Sequence, residues 1–190
     1  MATSIDVPRI RFTIDQYHRI GEAGVLGSDE RYELLNGEVI SITPIGHRHA
    51  ACVNSNAYRF TLAFPGRAIV STQNPLVLGR FTELQPDIAL LRWRDDFYRN
   101  ALPTAEDALL VLEAGDTSVE LDRHAKAPLY AAASVAELWL VNLRDHHVEV
   151  CRQPIGEEYR SVEQYELGER VGCLAFPHVS WTVDEVLGQT

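Results

Sequence analysis

Apolar and polar positions change period repeatedly along this chain, and the changes mark its elements. Thr13-Ile14-Asp15-Gln16 has the spacing of a capping box and predicts a short helix through Ile20. Arg31 to Leu35 and Glu38 to Ile42 flank Asn36-Gly37, a hairpin signal because both residues tolerate the positive φ of a tight two-residue turn. From His47 to Phe64, the residues Val53, Ala57, Phe60 and Phe64 recur at helical spacing until Pro65-Gly66 stops the helix. The period then shortens. Ala68 to Thr72, Leu76 to Leu78, Asp87 to Leu91 and Ala108 to Glu113 read as strands. A second long helix is expected from Val119 to Ala133, with Leu121, Ala125, Leu129 and Ala133 as its inner stripe. Glu137 to Val141 is a core strand, followed by a hairpin through Arg144-Asp145 to His147–Val150, a strand over Tyr159–Tyr165, and a short closing element from Trp181 to Leu187. Mixed strands around two principal helices predict an α/β sandwich, a single domain over residues 1–190 with an N-terminal hairpin elaboration. The alternation of strand and helix is too irregular for a doubly wound nucleotide fold.

Composition narrows the function. The 190 residues carry a formal charge of -10, which argues against a polybasic tail or a histone-like DNA binder but leaves room for a metal-assisted nucleic-acid enzyme. Of the 17 basic residues only Lys126 is a lysine. No apolar run approaches the roughly 18 residues of a membrane span, and MATSIDVPRIRF lacks the apolar core of a secretory signal. Cys52, Cys151 and Cys173 match no zinc spacing and read as buried thiols in a reducing, cytoplasmic setting.

Two carboxylates stand in unusual places. Asp87 opens an apolar strand directly after Pro86, and Glu113 closes the next one. Antiparallel pairing of these strands would bring the two acids together at one rim of the sheet, where like charges are costly unless a proton or cation joins them. A hard divalent ion held by carboxylates, the next backbone carbonyl and water relieves that cost; Mg²⁺ suits oxygen ligands, and Mn²⁺ can replace it. Solvent-facing strand ends are the plainer alternative. Lys126 shares a helix face with Asp122 and Tyr130, so it is either one half of a surface ion pair or an ammonium directed at a phosphate or an attacking water. His47 and His49 open the long helix, and His49 could face the same site. Arg80, Arg92, Arg94 and Arg99, interleaved with Trp93, Phe97 and Tyr98, read equally as a backbone-tracking segment or a solvated loop.

In RYELLNGEVISITPIGHRH (31–49), LQPDIALL (84–91), LVLEAGDTSVELDRHAKAPLYAAASVAELWLVNL (110–143), VEVCRQP (148–154) and FPHVSWTVDEVL (176–187), the chain resembles the Uma2 family of restriction-endonuclease-like proteins, within the PD-(D/E)XK nuclease superfamily. The resemblance implies a restriction-endonuclease-like core and an Mg²⁺-dependent endonuclease acting on DNA, with Asp87, Glu113 and Glu38 as metal ligands and Lys126 completing the catalytic set. Glu33 is the less favoured occupant of the place given to Glu38. The superfamily's usual lysine position, two residues after the glutamate, is Gly115 here, and Lys126 on the following helix matches its displaced counterpart. Asp122 is expected to aim Lys126, Asp116 to shape a loop, and the protein to form a homodimer. A non-enzymatic dimeric module binding DNA or protein on a nuclease scaffold is the alternative, and a two-carboxylate glycosidase has no sugar-stacking aromatics beside the acids to support it.

Overall fold

The computed structural model describes residues 10–27, 30–42, 46–116 and 118–189. The segment read above as lacking a secretory signal lies largely outside them. Helix α1 (Ile14–Glu22) begins at Thr13, whose side chain and that of Gln16 form the expected reciprocal cap. Strands β1 (Arg31–Leu35) and β2 (Glu38–Ile42) form the expected hairpin, with φ of 48° at Asn36 and 87° at Gly37. Helix α2 (His47–Ala63) follows, and then β3 (Ala68–Thr72), β4 (Leu76–Gly79), β5 (Thr82–Leu84), β6 (Ile88–Arg92) and β7 (Ala108–Gly115). The crossover is α3 (Val119–Leu121), a π-helical turn (Asp122–Lys126) and α4 (Ala127–Ala132). Strands β8 (Glu137–Asn142), β9 (His147–Ile155), β10 (Glu158–Tyr165), β11 (Arg170–Gly172) and β12 (Ser180–Thr182) and the short helix α5 (Val183–Val186) complete the chain.

The central sheet has the order β10-β9-β8-β7-β6-β3 and is mixed. Only β7 and β8 run parallel, which is why a helical crossover joins them. The N-terminal hairpin is more than an appendage, because β5 and β4 extend it into a second sheet of order β2-β1-β5-β4. Period-2 alternation divides the central strands between two cores. Ile88, Leu90, Leu110, Leu112, Trp139 and Val141 pack with Phe60 and Phe64 of the α2 segment and with Trp181 and Val186 near the C-terminus. Ala89, Leu91, Val111, Leu138 and Leu140 pack on the opposite face against Leu76 and Leu84 of the second sheet and Ala127 and Tyr130 of α4. Strands β6, β7 and β8 in the middle of the sheet are thus buried on both faces and read as near-continuous apolar runs. All three cysteines are free and buried. Among the described residues no helix is long and apolar enough to cross a membrane.

The expected second helix needs correcting. It contains a π turn, and its inward face is Asp122, Lys126, Ala127, Tyr130 and Ala131, while Leu121 is 48% exposed. The apolar stripe predicted from Leu121 misses this face because the first turns pack against a polar cluster rather than against the core.

Candidate active site

Strands β6 and β7 pair antiparallel with Ile88 opposite Leu112 and Ala89 opposite Val111, so one further step of this register sets Asp87 beside Glu113. Both acids continue the face carrying Ala89 and Val111, toward α4 and the second sheet. Backbone hydrogen bonds lock the pair: the Asp87 amide donates to Glu113 Oε2 at 3.3 Å, and the Ala114 amide donates to Asp87 Oδ2 at 2.9 Å. Gln73, at φ 53° just after β3, donates from Nε2 to Asp87 Oδ1 at 3.2 Å. His49, in the first turn of α2, places Nε2 2.7 Å from Asp87 Oδ2, while its buried Nδ1 has no partner.

Lys126 reaches this pair from the π turn. Its ammonium donates to Glu33 at 3.2 Å and to Glu113 Oε1 at 3.3 Å, and lies 3.6 Å from Asp122. Tyr130, one turn on, donates its hydroxyl to the same Glu113 oxygen at 2.7 Å. The turn itself is anchored on its far side, where Arg123 forks onto Glu149 of β9 and also pairs with Glu120. A lysine in the superfamily's usual place is excluded sterically. A Cβ on Gly115 would sit 2.6 Å from Val119 Cγ2 and 2.7 Å from the Val119 amide nitrogen.

Four carboxylates, those of Glu33, Asp87, Glu113 and Asp122, are buried around one ammonium. Burial raises the pKa of Glu113; Lys126 opposes the rise, and Asp122, Asp87 and Glu33 reinforce it. Asp122 is raised for the same reasons, again with burial leading and Lys126 opposing. Burial alone would lower Lys126, but Glu113, Glu33 and Asp122 together push it up, so it stays an ammonium. Burial likewise works against charge on His49, and the hydrogen bond and charge of Asp87 outweigh it.

The cluster lines a cavity of about 360 Å³ bounded by β1 and β2, the entrance to α2 at Gly46, and the π turn. Glu38, expected among the ligands, is not part of it. It is exposed at the turn end of the hairpin, whereas Glu33, two cross-strand pairs further along, is 1% exposed and faces the cavity. The contact that decides between them is tertiary, since Gln85, just past β5, donates its amide to Glu33 Oε1 at 2.7 Å. Asp116 also lines the cavity, 3.5 Å from the Arg48 guanidinium. The arginine- and aromatic-bearing segment after β6 is at the opposite end of that strand from Asp87, and it turns on itself: Arg94 forks onto Asp96 and lies 4.5 Å over the Tyr98 ring. His47 is exposed. Among the described residues no three His, Cys, Asp or Glu side chains are arranged to hold a metal ion by themselves.

Comparison with known proteins matches the architecture to one family. The chain is similar to a structure titled as a "putative nuclease belonging to DUF820" from Anabaena variabilis ATCC 29413, with a TM-score of 0.72 over 93% of this chain and 97% of that one. At 14% identity the likeness is one of fold. No curated protein matches the chain. The Uma2 family, described as "Putative restriction endonuclease", matches residues 14–184. Because that match runs from the first helix into the last, the chain belongs to the Uma2 family and shares its restriction-endonuclease-like α/β scaffold.

Proposed function

We propose that this protein is an Mg²⁺-dependent endonuclease that hydrolyses DNA phosphodiester bonds. The observation that carries the reading is the meeting of Asp87, Glu113 and Lys126 on the floor of one cavity, from three separate elements. The donor set fits a hard divalent cation. It offers oxygen only, and burial, reinforced by neighbouring carboxylates that Lys126 does not fully offset, pushes Glu113 and Asp122 toward protonation. The lack of a three-ligand protein cage is compatible with Mg²⁺, which is commonly bound through one or two carboxylates and keeps water and substrate phosphate as further ligands. Asp87, Glu113 and the Ala114 carbonyl would hold the ion, and Mn²⁺ would substitute.

When bound, the ion supplies positive charge to the phosphate and makes an attacking water more acidic. The chain's own groups do the remainder. Glu33 and Asp122 hold the Lys126 ammonium at the floor of the cavity, where it stabilises charge developing on the phosphate oxygens or orients the water. The Tyr130 hydroxyl fixes the Glu113 carboxylate, and Gln73 and His49 fix that of Asp87. Glu33 takes the part first expected of Glu38.

The test is cleavage of labelled DNA with Mg²⁺ or Mn²⁺. Wild type should cut, Asp87→Ala and Glu113→Ala should lose at least about a hundredfold while keeping the native circular dichroism spectrum, and chelation should abolish activity. Equal cleavage by wild type and both variants would overturn the assignment. Calorimetric absence of carboxylate-dependent Mg²⁺ binding in the presence of DNA would instead favour a non-enzymatic DNA- or protein-binding module.

A further inference from the structure

Resting on that reading, we infer that the site acts on unpaired nucleic-acid strand rather than on continuous duplex. The groups assigned to the chemistry are sunk below the surface: Asp87 is 8% exposed, Glu113 3% and Lys126 7%. The cavity that reaches them, about 360 Å³, is at the small end of the roughly 300–1,000 Å³ typical of small-molecule pockets. Strands β1 and β2 form one wall, and the first turn of α2 and the crossover helix form others. An intact duplex carries its phosphates on a stiff cylinder, and bringing one of them to this floor would require bending or opening the helix. An unpaired strand rotates about its own backbone, so a phosphate and its neighbouring nucleotide can descend together.

The cavity lining points the same way. Ile40 and Ile42 of β2 and the exposed Leu121 of α3 face the cavity beside the acids. Apolar side chains there can pack against the face of an unstacked base, a surface that duplex keeps inside its stack. The charged side chains of the lining, apart from His49, are five acids against Arg31 and Lys126. Duplex binding draws its affinity from many basic side chains neutralising many phosphates, and a chain of formal charge -10 with this lining does not supply them. A short strand needs one phosphate neutralised at the floor and one base held above it.

One labelled oligonucleotide, offered with Mg²⁺ as single strand, as blunt duplex and as duplex with a central unpaired bubble, tests this. The single strand and the bubble should be cut at least about tenfold more efficiently than duplex, because opening base pairs is charged against the latter. Leu121→Ser should raise KM for the single strand about threefold or more with kcat little changed, the signature of a lost base contact rather than a damaged site. Duplex cut as fast as single strand would overturn the inference and leave the hydrolytic reading standing. Cleavage of none of the three by wild type would overturn the hydrolytic reading, and this inference with it.

Discussion

The Lys126 ammonium donates to Glu33 at 3.2 Å across 93 positions of sequence, tying the crossover helix to the N-terminal hairpin. The contact closes the second sheet over the central one at the site. Replacing Lys126 by Met would leave Glu33, Glu113 and Asp122 facing one another without their shared cation. Urea unfolding of Lys126→Met near pH 8 should show a loss of about 3 kcal/mol, the scale for breaking a buried ion pair. Much of that loss should be recovered at about pH 5, where Glu113 and Asp122, both raised by burial, take up protons. Equal losses at both pH values would show that packing, not charge, is what Lys126 contributes.

Glu33 and Glu38 separate the cavity from the hairpin tip. Glu33→Gln should lower cleavage about tenfold to a hundredfold, the usual cost of losing a partner that orients a catalytic group. Glu38→Gln should stay within about twofold of wild type, since surface changes away from such contacts are small. Steady-state kinetics on the same oligonucleotide compares the two directly, and the reverse ranking would return the role to Glu38.

The wild-type stability profile has a defined sign. Glu113 and Asp122 have pKa values raised in the folded protein, so between the unfolded carboxyl range and those raised values the folded state binds more protons than the unfolded one. Stability therefore falls as pH rises through that window. His49, also raised, adds stability that is present below its ordinary value of 6.5 and lost as pH climbs through its folded value. Without divalent ions the urea midpoint should drop from about pH 5 to about pH 8, and Mg²⁺ should restore it at the upper end by binding the ionised folded state. A profile unchanged by Mg²⁺ at pH 8 would contradict the proposed ligand set.

Gly115 is small because the chain turns back on it. Gly115→Ala forces a Cβ against Val119 backbone and side chain and should destabilise by about 1–3 kcal/mol, read from thermal or urea unfolding. A neutral outcome would mean that the segment entering α3 can move aside, and it would reopen Gly115 as a position for a side chain.

Much of this architecture is local and therefore legible. Asn36-Gly37, the Thr13 cap and Pro65-Gly66 each act within a few residues, and the structure follows them closely. The proximity of Asp87 and Glu113 was also readable, since it follows once two apolar strands pair antiparallel. Strand β5 was not: Thr82-Glu83-Leu84 is short and mostly polar, and its buried Glu83 is matched by a tertiary partner, His18 of α1, 2.8 Å away. The choice of Glu33 over Glu38 was hidden for a similar reason. Both occupy the same face of the hairpin at alternating cross-strand pairs, and a contact from Gln85, just past the unseen β5, is made to Glu33. The helix stripe misled because hydrophobic periodicity assumes an apolar partner, and α3 with its π turn packs against charge.

The burial of the only lysine has a practical consequence. Amine-directed acylating reagents meet a single lysine side chain in this sequence, and it is 7% exposed, protonated and engaged by three carboxylates. Its acylation must wait for the ammonium to leave those carboxylates and give up a proton. The rate at which Lys126 is labelled is thus a clock for loosening of this ion-pair cluster, readable by mass spectrometry at one residue and against no background from other lysines.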